Sequence, residues 1–97
     1  MTALSTATVL VRSKEPLAAR VDDEIVMLDS RQSAYFGLDG AGVVIWELLD
    51  EPLSIEAVCA HLIQEYDVDL DTCRRDVLAF AAELVDAGLV EVRRAPT

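Results

Sequence analysis

The sequence predicts an α+β protein of the winged helix-turn-helix type, in which a three-stranded antiparallel sheet is followed by three helices and a short wing-like strand. Three observations support this prediction. β-Branched and apolar runs dominate the first part of the chain, three segments with apolar residues at helical spacing follow, and a short alternating run comes directly after Gly88. Because this scaffold serves DNA binding, protein binding and peptide binding alike, the fold class does not decide the function.

The predicted sheet comes from runs of strand-forming residues. Thr8–Ser13 (TVLVRS) is β-branched and apolar and predicts a first strand, with Leu17–Val21 as its candidate continuation beyond Pro16. Glu24–Asp29 (EIVMLD) and Ala34–Leu38 (AYFGL) are separated by SRQS, a polar connection of ordinary hairpin length. These last two runs therefore predict a β-hairpin.

Two short helices are predicted after the hairpin. The turn residues LDGAG place Asp39 as the cap of a helix over Ala41–Leu49. Ser54 stands at the cap position of the second helix, Ser54–Tyr66, whose apolar residues share one face.

The third predicted helix, Leu70–Ala87, is the longest, and Gly88 ends it as a left-handed residue. The run LVEVR that follows predicts a short final strand. A surface helix needs an apolar stripe a little over ~100° wide, but here the apolar arc covers more than half of the circumference and comprises Cys73, Val77, Leu78, Phe80, Ala81, Ala82, Leu84 and Val85. Either another segment of the chain or a partner is therefore expected to cover the excess.

Length and charge limit the possible functions. At 97 residues the chain is expected to form one domain, residues 1–97. Its 8 Lys and Arg against 18 Asp and Glu give a formal net charge of -10, which opposes binding to nucleic acid. On the third helix, acidic residues outnumber Arg74 and Arg75. A winged-helix DNA-binding function or a general protein-interaction module is therefore kept as the alternative.

The sequence offers little for catalysis or metal binding. Cys59 and His61 are two residues apart on a predicted helix, so they point in different directions and do not form a nucleophile and base pair. Adding Cys73 still gives three scattered candidates without a fourth ligand for structural zinc. We therefore expect no catalytic residue, no metal and no cofactor. With no apolar run near the ~20 residues of a membrane span and no signal peptide, a soluble cytoplasmic protein is expected.

The strand Ala34–Leu38 indicates where a partner would bind. Alternation places Phe36 on one face of the sheet and Tyr35 on the other, so neither face is expected to be simply solvated. As the last strand of the hairpin, held from behind by the helix of Trp46, this strand can lie at a sheet edge with unpaired backbone groups. An extended peptide would add there as another strand, with its side chains in the crease beside the third helix.

Two long stretches of the chain resemble a known family. EIVMLDSRQSAYFGLDGAGVVIWELLDEP followed by CRRDVLAFAAELVDAGLVEV is similar to the PqqD-like family, the precursor-peptide recognition elements of ribosomally made, post-translationally modified peptide pathways. The resemblance covers roughly Thr8 to Val92 and is closest to the small standalone forms of lasso-peptide biosynthesis, through YFGLD, IWELL and CRRDV. It implies a non-catalytic module that binds the leader segment of a precursor peptide as an added strand.

The resemblance also implies a set of site residues. On the strand these are Ala34, Tyr35, Phe36, Gly37 and Leu38, and on the third helix Cys73, Arg74, Asp76, Val77, Phe80 and Ala81. Which rim of the helix faces the groove is left open by the sequence. The implied partners are the leader peptide and a separate leader peptidase of the transglutaminase-like cysteine protease class, with neither nucleic acid nor membrane.

Overall fold

The computed structural model of the protein describes residues 4–14, 17–29 and 34–93, in which strands and helices follow one another in a mixed order. The elements are β1 (Val9–Arg12), β2 (Leu17–Val21), β3 (Glu24–Asp29), β4 (Ala34–Leu38), α1 (Ala41–Leu48), β5 (Leu53–Ser54), α2 (Ile55–Glu65), α3 (Leu70–Asp86) and β6 (Val90–Arg93). The α+β, winged helix-turn-helix-like class is confirmed. The predicted SRQS connection and the chain after Arg93 lie outside the described residues.

The predicted three-stranded antiparallel sheet is present, in the order β2-β3-β4. The predicted hairpin is confirmed, with Ile25 of β3 opposite Leu38 of β4 and Val26 opposite Gly37. Ile25 and Leu38 are both buried, so this face of the sheet meets the core. The first strand of the sheet is Leu17–Val21, which pairs with β3 along its whole length.

The N-terminal strand β1 belongs to a second sheet, of order β5-β1-β6. Leu17–Val21 is therefore not a continuation of it, and that part of the prediction is wrong. Leu10 of β1 is buried and lies opposite both Leu53 of β5 and Val92 of β6. Strand β1 therefore connects β5, which precedes α2, to β6, which follows α3. The final strand, correctly predicted, is consequently anchored to the N-terminal segment.

The starts of the helices show which capping predictions hold. Ser54 Oγ accepts a hydrogen bond of 3.1 Å from the Ala57 amide at the start of α2, as predicted. At α1 the capping residue is Gly40, without a side-chain hydrogen bond, so the assignment of Asp39 as the cap is wrong. The physical reason is the backbone of Gly40, which has φ 52° and ψ -126°, a combination that glycine adopts without steric cost.

Trp46 is part of the core, with 4% of its surface exposed. The Arg12 guanidinium of β1 lies 5.2 Å from the centre of its ring, a cation–π geometry. Trp46 therefore faces β1, whereas Gly42 of α1 approaches Leu38 of β4. The expectation that the α1 helix lies behind β4 is met through Gly42 rather than through the tryptophan.

Within residues 4–14, 17–29 and 34–93, no helix is both long and apolar enough to cross a membrane.

Candidate functional site

A groove of about 530 Å³ lies between β4, the start of α1, the end of α2 and one face of α3. Its wall at β4 and α1 consists of residues 37–42 and Ile45. Its opposite wall and end are formed by Leu62, Tyr66, Val68, Cys73, Asp76, Val77 and Phe80. Most of these side chains are apolar, so the groove suits an apolar ligand that enters from the surface.

The groove opens beside a free sheet edge. Among the described strands, β4 pairs with β3 on one side only, which leaves its other edge unpaired. Gly37 and Leu38 of β4 line the groove, so an extended chain on this edge would lie directly against it. An unpaired edge next to an apolar groove is the geometry that strand addition requires.

Gly42 determines how closely α1 and α3 approach each other across the groove. A Cβ atom on Gly42 would lie 3.3 Å from Cζ of Phe80 and 3.6 Å from Cδ2 of Leu38. The Phe80 ring thus packs against the α1 backbone, in the space that any other residue would fill. The missing side chain at position 42 therefore sets the width of the groove.

The structure brings together six of the eleven site residues that the resemblance implied: Gly37, Leu38, Cys73, Asp76, Val77 and Phe80 all line the groove. Their helical members lie at spacings of three and four residues, which places them on one face of α3. The rim that carries Asp76 borders the groove. The sequence had left open which rim of α3 faces a groove, and the rim with Asp76 is the one beside this cavity.

The other five residues do not line the groove, or their side chains are not described. Tyr35 is 77% exposed, against the expectation that neither sheet face is simply solvated. Ala81 is buried in the core, at 3% exposure. The side chains of Ala34 and Phe36 are outside the described part of the chain.

Arg74 of α3 is not among the residues that line the groove and instead connects two helices. Its Nη2 donates to Oε1 of Glu56 at 2.6 Å and its Nε to Oε2 of the same residue at 3.0 Å. This two-point pairing connects α3 to α2 and engages the guanidinium in an ion pair between the helices. The hydrogen bonds from Arg74 also lower the pKa of Glu56 below the ordinary value for a glutamate.

The Glu56–Arg74 pair predicts a pH dependence of stability. Because the pKa of Glu56 is lowered on folding, its stabilising contribution is complete above the ordinary glutamate pKa and is lost as the pH falls through the folded value. In urea unfolding from neutral to strongly acidic pH, Glu56→Gln should be less stable than the parent near neutrality, and the difference should shrink in acid. If the stability difference between Glu56→Gln and the parent stayed the same at all pH values, this prediction would be wrong. Glu83→Gln, at an exposed position of α3, is the control.

The two cysteines are packed inside the molecule. Cys73 is buried at the wall of the groove, and its Sγ lies 4.0 Å from the backbone oxygen of Cys59. Burial, with the neighbouring Cys73 as a second cause, raises the pKa of Cys59 to about 11. Cys59 is thus a protonated thiol at neutral pH, which is a poor nucleophile. His61 lies on the surface, 3.2 Å from Glu65 on the next turn.

Several groove residues were missed by the sequence analysis. Leu62, Tyr66 and Val68 come from the end of α2 and the following connection, which meet the groove only after α2 has packed against α3. No periodicity within that segment distinguishes a groove residue from a core residue. The LDGAG turn did offer a signal for Gly40 and Gly42, because paired glycines often mark a close approach of the backbone.

Comparison with known proteins adds to this geometry. The chain matches the protein-family model described as coenzyme PQQ synthesis protein D (PqqD) over residues 24–90. No curated protein sequence matches it.

Three solved structures are similar to the chain. TbiB1, in complex with the TbiA(beta) leader peptide, is 35% identical with a TM-score of 0.78, over 88% of this chain and 99% of that one. Lasso peptide synthetase B1, complexed with the leader peptide, is 27% identical with a TM-score of 0.75, over 84% and 96%. The PqqD part of PqqCD from Methylobacterium extorquens is 24% identical with a TM-score of 0.75, over 93% and 96%, and shares the fold. The family model matches more than half of the chain, and the similarity to TbiB1 extends over 88% of it. The chain therefore belongs to the PqqD family.

Proposed function

We propose that the protein is a non-catalytic recognition element that binds the leader segment of a ribosomally made precursor peptide as a strand added to β4. The observation that carries the proposal is the apolar groove that opens beside the unpaired edge of this strand. Two relatives support it, because the structures of TbiB1 and lasso peptide synthetase B1 are both complexes with a leader peptide. In this arrangement main-chain hydrogen bonds supply affinity and the groove selects the side chains.

The peptide would lie along the outer edge of β4, with alternate side chains turned toward α3. Leu38, Val77 and Phe80 would contact those side chains. Gly37 leaves the adjoining sheet face open, because no atom lies within 4 Å of where its Cβ would be. Tyr35 is exposed on the other face and is placed to contact the peptide side chains that point away from the groove. These positions, with the backbone of Ala34 and Phe36, form the proposed site.

The biological setting is proposed by analogy with the relatives. A lasso peptide is the expected type of product, since one relative is a lasso peptide synthetase component. The bound leader would then be presented in the cytoplasm to a leader peptidase of the transglutaminase-like cysteine protease class. DNA binding is less favoured, because Arg74 of α3 is already paired with Glu56 and Asp76 borders the groove.

The direct test is calorimetric titration of the purified protein with the leader of the precursor peptide encoded beside its gene. We expect saturable binding at one site. A titration without heat or saturation, with folded protein, would contradict the proposal.

A second prediction concerns chemistry. The purified protein alone should leave that precursor unchanged in mass, because the Cys59 thiol is protonated and buried and His61 is bonded to Glu65 on the surface. Mass spectrometry after prolonged incubation checks this. Any cleavage or dehydration by the protein itself would refute a non-catalytic function. The precursor incubated in buffer alone is the control.

A further inference from the structure

The charged residues that line the groove all have the same sign. Two lining residues carry a charge, Asp39 at the connection between β4 and α1 and Asp76 on α3, and no Lys, Arg or His is among the lining residues of the described chain. The two carboxylates therefore come from the two opposite walls. A peptide lying between them would have an acidic group on either side.

Asp39 is exposed, and the surroundings of Asp76 leave its carboxylate available to a ligand. The nearest cation to Asp76 is Arg75, whose Nε lies 3.8 Å from Oδ1, and both side chains are more than two-thirds exposed, at 77% and 69%. Such an exposed pair is weak and screened by water. When a peptide covers the groove it removes water from the carboxylates, which makes their negative charge costly unless the peptide brings a positive charge.

We propose that Asp39 and Asp76 are specificity-determining residues, which select a leader that carries a Lys or Arg beside the apolar side chain held in the groove. This inference rests on the proposed function. Leu38, Ile45, Val77 and Phe80 supply the apolar contact, and the two carboxylates add charge complementarity at its borders. An acidic residue at the same position of the peptide would be repelled from both walls.

The test is a selection of random peptides, displayed on phage, against the purified full-length protein and two variants. One variant is Asp39→Asn with Asp76→Asn. The control is Asp86→Asn, which removes an exposed charge from α3 outside the groove. We expect the parent and the control to enrich peptides with Lys or Arg next to a large apolar residue, whereas the double variant should enrich the apolar residue alone.

Affinities of a single enriched peptide make the test quantitative. Changing its basic residue to Gln should weaken binding to the parent by about two- to tenfold at low salt and by less at high salt. The same change should have little effect on the double variant, because the partner charges are already gone. Equal effects on both proteins, or a parent without preference for basic residues, would overturn the inference.

The outcomes also separate this inference from the proposed function. If apolar peptides bind and their charge does not matter, the role of Asp39 and Asp76 is refuted while strand addition stands. If no peptide is enriched by folded protein, both are refuted. The variant Gly42→Ala narrows the apolar part of the groove, because the added Cβ lies close to Phe80. It should weaken the binding of all peptides but keep the preference for a basic residue.

Discussion

Replacing Val77 by aspartate is expected to unfold the protein. Val77 lines the groove, but it is also part of the core, with 4% of its surface exposed. Placing a carboxylate there costs several kcal/mol, because the charge loses its water without gaining a partner. A small domain is stable by roughly 5–15 kcal/mol, so this change consumes much or all of its stability. Circular dichroism during thermal unfolding measures the loss.

Phe80 provides the matched experiment, since it lines the same groove but is only partly buried. Phe80→Gln keeps a good helix former in α3 and should remain folded. It should nevertheless lose roughly 1.5–3 kcal/mol of binding energy, the contribution of a buried aromatic side chain, and so bind the leader more than tenfold more weakly. A folded Phe80→Gln variant with the parent affinity would place the peptide elsewhere. A folded Val77→Asp variant would show that Val77 is not needed for the core.

The contrast between these two residues shows why sequence alone assigned them the same role. Both lie on the apolar face of α3, and periodicity identifies that face without distinguishing its inner part from its rim. The distinction depends on α1, which approaches Phe80 through Gly42 and leaves its ring at the opening of the groove. Arg74 was placed in the site by the family resemblance alone, and its pairing with Glu56 depends on the packing of α2 against α3, which the sequence does not show.

The local parts of the fold were predictable, and the long-range pairing was not. The β3–β4 hairpin, the start of α2 and the end of α3 each follow from residues close in sequence. A short polar connection joins the two strands, Ser54 caps the start of α2, and Gly88, with φ 75°, follows the end of α3. The second sheet joins Leu10 to Leu53 and Val92, partners that no short-range pattern connects. At α1, Asp39 looked like a cap because the backbone conformation of Gly40 is not visible in the sequence.

The topology explains why the β4 edge is available at all. Among the described strands, β3 alone pairs with β4, β2 lies beyond β3, and β1 is paired with β5 and β6 in the other sheet. The N-terminal strand therefore does not compete for the edge beside the groove. A strand from another chain is then a natural partner for these backbone groups.

The strongest test of the binding mode uses the backbone of the peptide. If the leader pairs with β4 as a strand, its affinity comes partly from main-chain hydrogen bonds along Ala34–Leu38, each contributing about 1 kcal/mol net. A leader with one N-methylated amide that faces β4 should bind at least about fivefold more weakly, since the methyl group removes a donor and crowds the edge. Methylation of the next residue, whose amide points away, should have little effect. Calorimetric titration of a series of singly methylated leaders measures both.

This alternation separates strand addition from other ways of filling the same groove. A given strand edge bonds to every second residue of its neighbour, so the losses along the series should repeat with a period of two. On the protein, hydrogen exchange should slow at the alternate β4 amides that do not bond to β3, while the amides of β6 in the other sheet remain unchanged. A leader bound as a helix would give losses without a two-residue period, because its amides bond within the peptide, and it would leave the free amides of β4 unprotected. The groove accommodates apolar side chains whether the leader binds as a strand or as a helix. The two binding modes are therefore distinguished by the two-residue period of the methylation losses and by the protection of the β4 amides.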